Sequence, residues 1–129
     1  MQREQGGGAN GACKESIDPK LLEAVVGGDL TMARELVEDL LPSARSDIAA
    51  ICRAADELLL AEVGAVSHKL KGSVALVGAR DLMTLCAELQ AAAKGGDREL
   101  VCRLAVRLEG CLEDMETALQ SFLGPVAAE

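Results

Sequence analysis

Tryptophan and tyrosine are missing from this 129-residue chain, and Phe122 is its only aromatic side chain. Without aromatic platforms there is little on which an unpaired base could stack. A formal net charge of -8 repels phosphate backbones as well, so the composition argues against nucleic-acid binding. No run of about 18 apolar residues exists, which removes a membrane-spanning helix from the expected elements. The opening Met1-Gln2-Arg3-Glu4-Gln5, followed by glycines, lacks the apolar core of a signal peptide. Cysteine is present but poorly arranged for staples. Cys13, Cys52, Cys86, Cys102 and Cys111 are odd in number and include no C-x-x-C pair, so neither a disulfide framework nor a zinc knuckle is expected. They read as reduced, mostly buried thiols of a cytoplasmic protein, with Cys13 as the exception in a loose N-terminal segment. A phosphate-cradling G-x-x-x-x-G-K-[ST] loop is also lacking. The acidic residues show no ligand-like clustering, so no metal site is expected.

What the chain does have is helix formers. Ala and Leu dominate, alongside Glu, Lys and Arg, whereas β-branched and aromatic residues are sparse. The length fits one domain able to bury a core unaided. Residues 1–16 are rich in Gly, Gln and Ala with no apolar period, and read as a flexible leader or linker. Asp18-Pro19 predicts a helix start, with a short helix over Lys20 to Val26 stopped by Gly27-Gly28. Asp29 caps the next, which places Leu30, Ala33, Leu36, Val37, Leu40 and Leu41 on one face and resumes through Ile48, Ile51 and Cys52. Pro42 is expected to kink or split it. Asp56 is a candidate cap for a third helix from Glu57 to about Leu76, broken at Val77-Gly78. A fourth runs from Ala79 to about Lys94, with Leu82, Leu85, Cys86 and Leu89 inward. After Gly95-Gly96-Asp97 a last helix spans Arg98 to about Leu123, carrying Val101, Leu104, Leu108, Cys111, Leu112, Met115, Leu119 and Phe122, and ends at Gly124-Pro125. Long helices joined by short loops predict an all-α fold: an antiparallel up-down four-helix bundle with a short additional N-terminal helix. The bundle is expected over 17–124, with 125–129 as a tail.

The third helix carries the chemistry. Each residue turns the helix by about 100°. With His68 as reference, Leu59, Val63, Val66, Leu70, Val74 and Val77 fall within about 60° of the opposite direction. That stripe must face the core, so His68 must face outward. Gly64 and Gly72, four residues before and after, and Ala61, Ala65 and Ala75 surround it with a low collar. Glycine inside a helix costs roughly 0.5–1 kcal/mol relative to alanine. Two beside one histidine suggest close approach of another protein. Lys71 shares the face, Lys69 lies at its edge, and Arg80 is placed to reach in from the next helix. No acid occurs between Val63 and Arg80. This local positive field would hold an anion at His68. An exposed, neutral imidazole offers a ring-nitrogen lone pair and serves as a nucleophile without an activating base.

The run His68-Lys69-Leu70-Lys71-Gly72-Ser73, followed by Gly78-Ala79, Leu82, Leu85-Cys86 and Glu88-Leu89, resembles the histidine-containing phosphotransfer (HPt) domain family. The resemblance covers about Ile17 to Leu123. Val74 departs from it, since many members carry a second small polar residue there; on the wheel it faces inward. The resemblance implies that His68 accepts a phosphoryl group from the aspartate of one response-regulator receiver domain and passes it to another. It implies that Lys69 and Lys71 neutralise the phosphate, that Gly72 admits the receiver, and that Ser73 supports the site by hydrogen bonding. With Gly64, Ala65 and Ala75, Gly72 forms the docking collar. The resemblance further implies a phosphocarrier rather than an enzyme with its own ATP site. No cofactor is needed, because Mg²⁺ belongs to the receiver. The partners would be receiver domains and a hybrid sensor histidine kinase. The chain would be a cytoplasmic monomer, either a free shuttle or the C-terminal module of such a kinase. A docking or inhibitory module using the same face without chemistry is the alternative. A metal- or haem-binding bundle lacks ligands, there being one histidine.

Overall fold

The computed structural model describes residues 16–124, which are helical with no strand among them. The helices are α1 (Pro19–Val26), α2 (Leu30–Asp56), α3 (Leu60–Val74), α4 (Arg80–Lys94), α5 (Arg98–Ala105) and α6 (Leu108–Leu123), with a 3₁₀ turn at Ala75–Val77. Residues 1–15 and 125–129, and with them Cys13, lie outside the described residues. Ser16, placed in the leader by composition, is buried beside Ile17.

The starts of α1, α2 and α5 follow their caps. Asp18 accepts from the backbone N–H groups of Lys20 and Leu21, Asp29 from Met32, and Asp97 from Leu100. Each supplies an acceptor to an N–H that has no partner in the first helical turn. Pro42 neither splits nor ends α2, which continues through it for 27 residues. Leu40, Leu41 and Ala44 are buried around it, while Pro42 and Glu38 face solvent, where the carbonyl left without a donor can be hydrated.

Two helix boundaries differ from expectation. Asp56 is the last residue of α2 rather than the cap of α3. The chain turns at Leu58, whose φ is +57°. The N–H groups of Glu57, Leu58 and Leu59 donate to the carbonyls of Arg53, Ala55 and Ala54, which satisfies the end of α2. A leucine in this region carries a steric cost that glycine avoids, so the turn has no sequence marker. Likewise, the expected final helix is two. It breaks at Val106-Arg107, where Arg107 N–H bonds three residues back to Leu104 at 3.0 Å. Val106 is 79% exposed. The buried positions Leu104, Ala105, Leu108 and Leu112 keep helical spacing across the break, which hides it from periodicity.

One core joins all six helices. α2 packs on α3, α5 and α6; α4 packs on α3, α5 and α6. Leu30, expected inward, is 47% exposed, because it occupies the first turn of α2 beyond the edge of the core. Phe122 and Cys111 are only half-buried. Arg45 on α2 reaches Glu116 on α6 at 2.7 Å. The turn after α3 is latched to the start of α1 by Asp18 N–H donating to Val77 carbonyl at 2.8 Å. Gly78 has φ +65°, and a Cβ there would stand 2.5 Å from Asp18 Cβ. Glycine is thus required twice over, by conformation and by contact.

Candidate functional site

α3 is held from behind by fully buried Val63, Leu70 and Val74, with Val77 in the following turn. This is most of the stripe expected opposite His68. Val66 is only half-buried, and Leu59 is exposed because it precedes the helix. His68 projects from the other side and is exposed.

Gln90 of α4 meets the ring: its Nε2 lies 3.4 Å from His68 Nδ1. One ring nitrogen thereby faces α4, and Nε2 is left as the nitrogen open to an incoming molecule. The amide orientation and the tautomer are coupled. A proton on Nδ1 requires the oxygen of Gln90 to face it, and a lone pair on Nδ1 requires the NH₂. Sequence reasoning did not single out Gln90, which follows Leu89 in the inward stripe and reads as a boundary polar residue. Its small neighbours Ala87 and Ala91 were the available signal. With Leu60, Ala61, Gly64, Ala65 and Lys71 they line an open groove of about 560 Å³ between α3 and α4.

The two lysines diverge. Lys69 leaves the helix about 100° from His68 on one side, and Lys71 about 60° on the other. Lys69 Nζ lies 2.9 and 3.0 Å from the two carboxylate oxygens of Asp47 on α2. Lys71 lies on the α4 side, in the groove. The expected acid-free field around His68 is therefore only partly realised: the fold brings a carboxylate from α2 onto one of the two lysines. The Lys69 side chain is 61% accessible and that of Asp47 10%. Such a pair, open to water on the lysine side, contributes up to about 1 kcal/mol.

The collar residues occupy different settings. Gly72 is exposed, and a Cβ there would meet nothing within 4 Å. Gly64 faces α4, and its Cβ would stand 3.8 Å from Ala93 Cβ. Ala65 is exposed, whereas Ala75 is half-buried in the 3₁₀ turn. Ser73 hydroxyl donates to Lys69 carbonyl at 3.2 Å, a bond within its own helix. Ser67, beside His68, is fully buried with no partner for its hydroxyl.

Three of the described cysteine thiols are held protonated by burial. Burial pushes Cys86 up to about 12, with Cys111 adding and Lys71 opposing. Burial also raises Cys52 and Cys111. Cys102, expected to be buried, is exposed. Among the described residues no group of three His, Cys, Asp or Glu side chains could hold a metal ion, and no helix is long and apolar enough to cross a membrane.

A family model described as the Hpt domain matches residues 35–120, from the first third of α2 almost to the end of α6. No curated protein and no solved structure matches the chain.

Proposed function

The chain belongs to the Hpt domain family, the phosphotransfer modules of two-component phosphorelays, and from that premise we propose that His68 is its phosphoacceptor. One observation carries the reading: the chain has a single histidine, and it stands exposed on α3 with Nδ1 against Gln90 and Nε2 open. In the proposed reaction the Nε2 lone pair attacks the phosphorus of a receiver's aspartyl phosphate. The P–N bond forms as the bond to the aspartate oxygen breaks, and the carboxylate leaves with its electron pair. The ring retains one proton, on Nδ1; Gln90 accepts it once its amide turns to bring the oxygen, rather than Nε2, to that nitrogen. Transfer to a second receiver is the reverse of this step.

The chain's own groups position and neutralise. Lys71, on the groove side, balances charge on the phosphoryl group, and Lys69 does so to the extent that Asp47 releases it. Gly72 leaves open surface for the receiver, with Gly64, Ala65 and Ala75 completing the low face. Ser73 supports the helix bearing the site. Mg²⁺ and most of the transition-state stabilisation belong to the receiver, so the chain acts as a phosphocarrier with no cofactor or ATP site of its own. The proposal includes the antiparallel up-down four-helix bundle, in which α2, α3, α4 and the α5–α6 pair are the long members. It also includes a cytoplasmic, monomeric setting, as a free shuttle or at the end of a hybrid sensor kinase.

The test is transfer from a phosphorylated receiver domain. Acid-labile, alkali-stable phosphate should appear on the wild type and be absent from His68→Gln. Labelling of that variant would overturn the assignment of His68. A wild type that no receiver of the same organism can label would overturn the relay reading.

A further inference from the structure

Asp47 is the only charged residue buried among the described residues, at 7% exposure. Burying a carboxylate is costly unless it is paired, and its partner is Lys69, adjacent in sequence to His68. A site that handles a phosphoryl dianion gains nothing from a neighbouring anion in the simplest account, so the placement needs a reason. The two ends of the pair differ in freedom. Asp47 is fixed, with Ala44, Ile48 and Ile51 of α2 buried around it. The Lys69 side chain is 61% accessible and can swing about its own stem.

Resting on the reading of His68 as phosphoacceptor, we infer that Asp47 is a positioning residue that competes with the phosphoryl group for Lys69. Lys71 stays on the groove side, where no carboxylate of the described residues ion-pairs with it. Phosphorylated His68 then has one committed lysine and one that must be taken from Asp47. The phosphohistidine is less stabilised than two free lysines would make it, and so remains a ready donor to the next receiver. Asp47 sets the balance of phosphoryl groups between carrier and receiver without touching the reacting atoms.

The experiment uses the whole chain and a receiver domain charged with acetyl phosphate. Two quantities are read: the equilibrium ratio of phosphohistidine to aspartyl phosphate, and the half-life of phosphohistidine after the receiver is removed. Wild type and His68→Gln come first; labelling that survives loss of His68 would defeat the functional reading itself, separately from this inference. Asp47→Asn is expected to move the ratio about five-fold toward phosphohistidine, the scale of one partly exposed ion pair, and to lengthen the half-life. In the Lys69→Gln background the same change should have no effect. A shift that persists there means that Asp47 acts on the phosphate directly, and overturns the competition. An unchanged or opposite ratio in Asp47→Asn also overturns it, whatever happens to Tm. Should Asp47→Asn fail to fold, Asp47→Ser takes its place: a ratio moved several-fold toward phosphohistidine is expected, and a ratio unchanged or moved the other way overturns the inference.

Discussion

Gln90 on α4 lies 3.4 Å from Nδ1 of His68 on α3, so the candidate acceptor is oriented by a helix other than its own. The contact is long for a hydrogen bond and partly exposed, which limits it to steering the ring rather than fixing it. Gln90→Ala should leave the free energy of unfolding within about 0.5 kcal/mol of wild type, as surface substitutions do. It should slow phosphotransfer about three- to ten-fold through lost orientation. Rapid-quench transfer rates and a thermal melt check both; an unaffected rate removes Gln90 from the site.

Gly72 and Gly78 look alike in sequence and should behave oppositely. Gly72→Ala places its methyl in open space inside a helix and should stabilise the fold by about 0.5–1 kcal/mol. Gly78→Ala meets Asp18 and adopts positive φ, and should destabilise by about 2 kcal/mol or more. Chemical denaturation of the two variants measures the difference directly.

A larger side chain at Gly72 separates docking from folding. Gly72→Gln should retain the wild-type Tm to within a few degrees, since nothing lies within 4 Å of its Cβ. Transfer from a receiver should nonetheless slow about ten-fold or more, as close approach to His68 is obstructed. A rate equal to wild type would mean that receivers approach from another side.

Thiol reactivity should follow burial. Cys102 is exposed and should react early with a thiol reagent in the native protein. Cys86, buried and pushed up to about 12, should react only on unfolding. The same shift sets a pH dependence. The folded state holds the Cys86 proton more tightly than the unfolded state. Its contribution to stability is therefore complete below about pH 9 and declines as pH rises from there toward about 12. Denaturation midpoints at pH 8 and pH 10.5 for wild type and Cys86→Ala test this; the wild type should lose more over that interval.

Much of the molecule is legible in particular residues. Asp18, Asp29 and Asp97 announce three helix starts because a cap is a local bond between neighbours in sequence. Val63, Leu70 and Val74 fix the outward direction of His68 because a helix has one period. The boundary at Leu58 and the break at Val106-Arg107 are illegible for the opposite reason. Neither contains the Gly or Pro that usually marks a turn, and tertiary packing holds both against local preference. Leu30 and Leu59 show a related limit: periodicity gives a face but not where the core ends.

The sequence by itself determined that the chain is helical, that α3 turns His68 outward, and that small residues surround it, since each follows from spacing along one helix. The tertiary structure alone decided what reaches that surface from elsewhere. Gln90 is 22 positions from His68, and Asp47 is 22 from Lys69. Helical periodicity relates residues three or four apart and says nothing about partners on another helix. The acid-free stretch read from the sequence was real along the chain, but electric fields act through space, and the packing of α2 on α3 put a carboxylate within 3 Å of Lys69.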